Sequence, residues 1–142
     1  MRTSAARMIR TEAFFDTNVL LYLTDTDDLR ASRSEALLAA GGTISVQVLN
    51  EVALVMRRKW RRSWAEVHEF LGGIRANTFL VPITDLTHER GLAYAERFQL
   101  AIYDSMIVAA AVLAGCTALY SEDMHDGLVI DGLTIRNPYV GG

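Results

Sequence analysis

Residues 13–23 read AFFDTNVLLYL, and this stretch decides the fold prediction. Its first three residues form a short apolar run, which predicts a buried strand that ends at Asp16. The residues from Thr17 to Leu23 predict a helical turn or a short helix directly after it. A buried strand that passes straight into a helix is typical of α/β proteins, in which helices cover both faces of a parallel sheet.

The same alternation continues along the chain. Short apolar strands are predicted at residues 43–44, 79–81 and 117–120, with a final strand or hairpin around Asp131-Gly132. Helices are predicted over residues 29–40, 46–59, 85–99 and 102–114, and another begins at a Ser63/Glu66 capping box and ends near Gly72-Gly73 or at Asn77. Apolar residues surround helix 102–114, so it is predicted to be buried. We therefore expect an α/β fold with a short central parallel sheet.

Length and composition fit one globular domain over residues 11–142, preceded by a flexible N-terminal extension over residues 1–10. The chain has 142 residues, of which 51% are hydrophobic and 22% charged. The longest apolar run, residues 106–116, is too short for a bilayer, which needs about 20 residues. The single cysteine, Cys116, excludes an intrachain disulfide and suits a reducing compartment such as the cytoplasm.

The overall charge does not favour nucleic-acid binding through the field of the whole molecule. The net charge is −3 and the isoelectric point is about 5.6, whereas proteins that bind nucleic acid through their overall field are basic. Binding of RNA would therefore depend on a local basic patch or on a metal ion.

Two aspartates stand beyond the carboxyl ends of predicted strands, where sites form in α/β proteins, and a third stands at the start of a helix. Asp16 follows the first strand, but it could simply be a helix N-cap. Asp123 follows strand 117–120, but its segment could be an exposed turn, and Glu122 and Asp126 compete with it for any role. Asp104 begins the apolar helix and could be an ordinary N-cap or a first-turn aspartate that the helix dipole favours.

Glu51 is more informative because its helical neighbours are Val48, Leu54 and Val55. Burying a carboxylate among apolar side chains is costly unless it is paired or binds a metal. The alternative is a glutamate at the edge of the apolar stripe that pairs with an arginine such as Arg58.

Four segments together resemble the signature segments of the PIN-domain family, and within it the VapC toxin type. They are FFDTNVLLYL, SVQVLNEV, IYDSMIVAAA and LYSEDMHDG, whose order and spacing match over nearly the whole chain. The resemblance implies a PIN-like three-layer α/β/α fold. It also implies a quartet of catalytic, metal-binding residues, with Asn18 and Ser121 as polar residues that support them or orient the substrate. The quartet consists of Asp16, Glu51, Asp104 and Asp123.

Such a quartet requires cations. Carboxylates about 5 Å apart repel one another by about 3 kcal/mol per pair at an effective dielectric of 20, unless protons or cations neutralise them. Hard oxygen ligands suit Mg²⁺ or Mn²⁺. The three histidines, His68, His88 and His125, do not have the spacing of a zinc site.

The resemblance further implies a metal-dependent endoribonuclease that leaves 5′-phosphate and 3′-hydroxyl ends. It implies the toxin of a type II toxin–antitoxin pair. The partner would be a small cognate antitoxin whose C-terminal segment enters the acidic groove. The resemblance also implies a homodimer, and no membrane association is expected. Two further interpretations stay within the family: a non-catalytic PIN-like module that binds RNA or protein, and an RNA-processing nuclease outside a toxin–antitoxin system.

A basic run over residues 57–62 (RRKWRR) could contact RNA, because cations hold phosphates and an aromatic side chain can stack on a base. The candidate contacts are Arg57, Arg58, Trp60, Arg61 and Arg62. Alternatively, the run is a solvated corner at a helix C-terminus.

A rival enzyme class is the haloacid-dehalogenase-like phosphatases, which also have an aspartate at the end of a strand. That class has a second aspartate two residues later, where this chain has Asn18, and a lysine in a separate motif. Lys59 is the only lysine here, so this alternative ranks low.

Overall fold

The structure, a computed structural model, describes residues 12–25 and 28–140. The expected N-terminal extension, residues 1–10, lies outside the described residues. The strands are β1 (Ala13–Phe15), β2 (Thr43–Ser45), β3 (Phe79–Val81), β4 (Ala118–Tyr120), β5 (Val129–Ile130) and β6 (Leu133–Arg136). The helices are α1 (Thr17–Leu21), α2 (Leu29–Ala40), α3 (Val46–Arg58), α4 (Trp64–Ala76), α5 (Asp85–Phe98) and α6 (Ile102–Leu113), and a 3₁₀ turn, Tyr22–Thr24, follows α1.

The strands form a single sheet in the order β3-β2-β1-β4-β6-β5. All neighbouring pairs are parallel except β5 and β6, which are antiparallel. This confirms the predicted α/β fold with a short, mostly parallel central sheet. Because β1 lies between β2 and β4, the residues that follow these three strands are neighbours at one edge of the sheet.

The core lies between the sheet and the helices that pack on it. Phe14, Phe15, Ile44 and Leu119 are fully buried strand residues. Helix α6 is buried from Ser105 to Ala111, as its apolar sequence predicted. No helix in the described part of the chain is long and apolar enough to cross a membrane.

Two glycines allow close packing in this core. A Cβ atom on Gly42 would lie 2.4 Å from the ring of Phe15, and one on Gly91 would lie 2.6 Å from the sulfur of Met106. The absence of a Cβ at Gly42 lets the start of β2 approach Phe15 of β1, and its absence at Gly91 lets α5 approach Met106 of α6. Side chains at these two positions would push the elements apart or displace their neighbours.

Local signals explain where α4 and the final hairpin begin and end. The Ser63/Glu66 capping box is formed, and α4 continues past Gly72-Gly73 to Ala76, the longer of the two predicted ends. Glycine in an exposed helix costs only about 1 kcal/mol, and the Asn77 amide donates to the Gly73 carbonyl at 2.7 Å. Asp131 and Gly132 both have positive φ, 49° and 85°, which suits a two-residue hairpin turn between β5 and β6.

Candidate active site

The residue after β1, Asp16, is the most buried acid of the predicted quartet, with 5% of its surface exposed. Its backbone N–H donates to the carbonyl of Tyr120 at 3.0 Å, which joins it to the end of β4. Its carboxylate accepts hydrogen bonds from the Thr17 N–H and from the Ser121 hydroxyl, both at 2.7 Å. Asp16 is thus the N-cap of α1, as the simpler interpretation predicted, and it also faces the neighbouring strand end.

All four predicted carboxylates line one cavity of about 360 Å³, here called the acidic cavity. Asp16 lies at the end of β1, Glu51 on α3, Asp104 in the first turn of α6, and Asp123 in the loop after β4. The rest of the wall consists of Thr17, Asn18, Leu21, Leu54, Val55 and Tyr103. Residues 16, 51, 104 and 123 are distant in sequence, so the strand order and the packing of α3 and α6 bring them together.

Two neighbouring side chains hold Glu51 in the acidic cavity. The Thr17 hydroxyl donates to Oε1 of Glu51 at 2.8 Å, and the Gln47 amide donates to Oε2 at 2.7 Å. The alternative of an ion pair between Glu51 and Arg58 is wrong. Sequence reasoning missed Thr17 and Gln47 as site residues, although Gln47 lies one helical turn before Glu51, a spacing that brings side chains together.

Asp104 has a different environment. The N-cap of α6 is Ala101, so the alternative that Asp104 caps this helix is wrong and the first-turn position is correct. Among the residues that the structure describes, no side chain or backbone group forms a hydrogen bond with its carboxylate. The positive end of the α6 dipole is close to this carboxylate and favours its negative charge. Asp104 is therefore free to bind a cation or a proton.

Asp123 is exposed and accepts a hydrogen bond from the amide of Asn18. Ser121 donates to Asp16 and accepts from the N–H of Met124 at 3.2 Å, so it orders the loop that carries Asp123. The structure therefore places Asn18 and Ser121 in contact with two of the four carboxylates.

The two acids that compete with Asp123 in the sequence do not line the acidic cavity. Glu122 accepts hydrogen bonds from the Tyr22 hydroxyl and, at 2.9 Å, from Arg30. Asp126 accepts from the backbone N–H of Asn137 at 2.8 Å. These contacts link the loop to α2 and to the residues after β6, which gives both acids a structural role.

Burial and mutual repulsion disfavour the ionised forms of the carboxylates in the acidic cavity. Burial raises the pKa of Asp16 to about 6, and the charges of Asp104 and Glu51 add to this, against the hydrogen bonds from Ser121 and Thr17. Burial also raises the pKa of Asp104, with further contributions from Glu51 and Asp123. Within residues 12–25 and 28–140, none of the four carboxylates forms an ion pair with a cationic side chain. Binding of a cation would relieve this repulsion.

The donor set fits a hard divalent cation bound largely through water. Carboxylate oxygens around one cavity are the ligands that Mg²⁺ and Mn²⁺ prefer. Across the described ranges, however, no three Asp, Glu, His or Cys side chains converge closely enough to hold a metal ion directly. Mg²⁺ usually keeps several waters and takes only one or two carboxylates, so the arrangement fits Mg²⁺ or Mn²⁺ better than a closed zinc site.

The side chains of the basic run, residues 57–62, point in different directions. The Arg57 guanidinium lies 4.3 Å from the centre of the Trp64 ring and donates to the carbonyl of Arg62 at 2.8 Å. Arg62 lies 3.7 Å from Glu66. Both arginines therefore face α4, while Arg58 and Arg61 are exposed. Trp60 packs partly against the core and lines a second cavity beside the acidic one.

The fold and the acidic cavity define an α/β domain with a carboxylate site at the carboxyl edge of its sheet. The sequence profile of the PIN domain matches residues 13–125, and the chain belongs to the PIN domain family. No curated protein sequence matches the chain significantly.

Several solved structures have a similar fold. A toxin–antitoxin complex from Klebsiella pneumoniae contains a chain that is 25% identical, with a TM-score of 0.69 over 89% of this chain and 98% of that one. VapC20 from Mycobacterium tuberculosis, described as a sarcin-ricin loop cleaving toxin, is 20% identical, with a TM-score of 0.64 over 78% and 89%. VapBC2 from Rickettsia felis, bound to a promoter DNA fragment, is 17% identical, with a TM-score of 0.65 over 88% and 97%.

Proposed function

We propose that this chain is a metal-dependent endoribonuclease that hydrolyses RNA phosphodiester bonds and serves as the toxin of a type II toxin–antitoxin pair. The observation that carries the proposal is the acidic cavity, where Asp16, Glu51, Asp104 and Asp123 meet and where no cationic side chain among the described residues forms an ion pair with them. Membership of the PIN domain family supports it, and so does the similarity to toxins of known structure.

In this proposal Asp16, Glu51, Asp104 and Asp123 would together hold Mg²⁺ or Mn²⁺, largely through bound water. The bound ion supplies positive charge that stabilises the negative transition state and lowers the pKa of the attacking water. Water would attack the phosphorus in line as the bond to the 3′ oxygen breaks. The attacking water would lose its proton to solvent and the 3′ oxygen would take one up, so that the products carry 5′-phosphate and 3′-hydroxyl ends. Leu54 and Val55 give the acidic cavity an apolar side, which lowers the local dielectric and strengthens these electrostatic interactions.

The polar neighbours of the carboxylates have positioning roles. Ser121 and the Thr17 N–H fix the two oxygens of Asp16, and Asn18 holds Asp123. Gln47 and the Thr17 hydroxyl fix Glu51 from two sides. A ligand set that is ordered before the cation binds loses less conformational entropy on binding, so these contacts should raise metal affinity.

The same carboxylates offer a means of inhibition by a protein partner. A small antitoxin with a cationic side chain at its C-terminal segment would neutralise the acidic cavity in place of the metal. The similarity to the Klebsiella pneumoniae toxin–antitoxin complex supports such a partner. Assembly as a homodimer and a cytoplasmic location belong to the same proposal, and light scattering of the purified protein at micromolar concentration would test the dimer.

The direct test is cleavage of RNA by the purified protein with Mg²⁺, with Mn²⁺ and with EDTA. Asp104→Asn is the best variant, because no group in the described part of the chain forms a hydrogen bond with its carboxylate. The matched control is Asp85→Asn, an exposed acid of α5 outside the acidic cavity. We expect metal-dependent cleavage by the wild type and by Asp85→Asn, and none by Asp104→Asn.

Full activity of Asp104→Asn would contradict the proposed site. RNA binding without cleavage by the wild type under all three conditions would favour the non-catalytic binding module instead. Cleavage in the absence of any neighbouring antitoxin gene would favour an RNA-processing nuclease outside a toxin–antitoxin pair.

A further inference from the structure

A second cavity of about 250 Å³, here called the Trp60 cavity, lies beside the acidic cavity. Asn18, Leu21 and Val55 line both cavities. The Trp60 cavity is completed by Tyr22, Asp25, Lys59 and Trp60. Because the two cavities share three lining residues, they are adjacent, and a polymer bound at the acidic cavity can reach the Trp60 cavity.

The walls of the Trp60 cavity suit a flat, polar-edged ring. Trp60 and Tyr22 supply aromatic surface, and Leu21 and Val55 supply aliphatic surface. Tyr22 is fixed, because its hydroxyl donates to Glu122 and Arg30 covers its ring at 4.3 Å. Asn18, Asp25 and Lys59 place polar groups at the edges. Apolar walls with a few polar groups are typical of sites for small aromatic ligands such as nucleobases.

Lys59 is the cation of the basic run that lies at this cavity. Arg57 and Arg62 face α4, as described above, whereas Lys59 is exposed and lines the Trp60 cavity. In the described part of the chain, its ammonium forms no ion pair with a carboxylate. Lys59 can therefore contact a backbone phosphate at the mouth of this cavity.

We propose that the Trp60 cavity is a nucleotide subsite for single-stranded RNA. A base next to the scissile phosphate enters it and stacks on Trp60, while Lys59 contacts the adjoining phosphate. This inference rests on the proposed nuclease function, because it takes the acidic cavity as the position of the scissile phosphate. It also selects the substrate class, since a base must be unpaired and unstacked from its neighbours before it can enter such a cavity.

The chain has two tryptophans, Trp60 and Trp64, and this allows a direct test. Trp64→Phe leaves Trp60 as the single emitter, and Trp60→Phe leaves Trp64, which is exposed on α4. Both are made in full-length protein that also carries Asp104→Asn, so that RNA is not cut. The probes are end-labelled 12-nucleotide oligomers of A, C or U, and anisotropy of the label reports saturation.

Stacking on Trp60 should quench the emission of the Trp64→Phe protein when the oligomer saturates it, and should leave the emission of the Trp60→Phe protein nearly unchanged. The Trp60→Phe protein should bind more weakly, and because base–aromatic stacking contributes about 1–3 kcal/mol, complete loss of stacking would weaken binding about 5-fold or more. Unquenched Trp60 at saturation, or no binding of any oligomer, would overturn the subsite.

The role of Lys59 is tested by the salt dependence of binding. Lys59→Gln should reduce the slope of log affinity against log salt by about 0.7, the value for one phosphate contact on a single strand. The control is Arg75→Gln, which removes an equal charge from an exposed position of α4 outside both cavities and should leave the slope unchanged. Equal slopes for the wild type and Lys59→Gln would refute the phosphate contact.

These readouts distinguish a failure of the proposed subsite from a failure of the proposed nuclease function. Quenching and a reduced salt slope, with no cleavage by the wild-type protein, would support the subsite and refute the nuclease function. Cleavage by the wild type without quenching of Trp60 would do the reverse.

Discussion

Replacing Asp16 by asparagine should stabilise the metal-free protein at neutral pH while it abolishes cleavage. The pKa of this buried carboxyl rises from 3.8 to about 6. A shift of this size corresponds to about 3 kcal/mol, which is the cost of keeping the ionised group in the folded state. Asparagine carries no charge and can still accept a hydrogen bond from the Thr17 N–H as an N-cap.

The net gain in unfolding free energy should be smaller than this cost. The shift already includes the hydrogen bonds of Ser121 and Thr17 to the ionised carboxylate. The asparagine amide has one acceptor oxygen where the carboxylate has two, so one of these two bonds is lost or rearranged, at about 1–2 kcal/mol. We therefore expect Asp16→Asn to raise the free energy of unfolding by about 1–2 kcal/mol at neutral pH. For a domain of this size, that is a rise in Tm of roughly 3–8 °C.

The pH dependence follows from the direction of the shift. A carboxyl whose pKa is higher in the folded than in the unfolded state stabilises the fold fully below pH 3.8, and this contribution is lost as the pH rises through about 6. The difference between Asp16→Asn and the wild type should therefore be small near pH 4 and reach its full size above about pH 7.

Urea denaturation in EDTA at acidic and at neutral pH measures this difference, with the exposed Asp85→Asn as the control. Added Mg²⁺ should then stabilise the wild type, because it binds the folded state, and should have less effect on Asp16→Asn. A variant that is less stable than the wild type at neutral pH, or a difference that does not change with pH, would refute the proposed strain at Asp16.

Three further substitutions probe the packing and the hydrogen bonds around the site. Gly42→Ala should lower the free energy of unfolding by about 1–3 kcal/mol in urea denaturation, because its Cβ would lie 2.4 Å from the buried ring of Phe15. Gln47→Ala should lower kcat, because it frees one oxygen of Glu51, with only a small fall in Tm because this oxygen is partly exposed and can bind water instead, and Gln47→Glu should not restore the rate. Ser121→Ala removes a donor that lowers the pKa of Asp16, so the acidic limb of the cleavage profile should move to higher pH; an unmoved limb would exclude this role.

Much of the fold was predictable, because local sequence signals mark where its helices and strands begin and end. The capping box at Ser63 and Glu66, the Asp131-Gly132 turn and the apolar surface of α6 each have a direct physical cause in the sequence. The end of α4 was ambiguous, because two exposed glycines resemble a helix stop and the Asn77 contact that follows them cannot be read from composition.

The sequence predicted which four carboxylates line the acidic cavity, but not the side chains that hold Glu51 in position. The four segments identified the carboxylates, whereas their shared cavity depends on the position of β1 between β2 and β4, which no local pattern specifies. The contact of Thr17 with Glu51 joins two elements that are 34 residues apart. The sequence did not predict that Lys59 lines a different surface from Arg57 and Arg62. Their directions depend on the change in backbone direction after α3, where Arg61 has a φ of 52°.

Binding of Mn²⁺ tests the central claim most directly, namely that the carboxylates of the acidic cavity hold a divalent cation together. Electron paramagnetic resonance of free Mn²⁺ can be recorded during titration of the wild type, Asp104→Asn and Asp85→Asn. We predict saturable binding by the wild type and by Asp85→Asn, and an affinity at least about 10-fold lower for Asp104→Asn. Equal Mn²⁺ affinity in all three proteins would contradict the account.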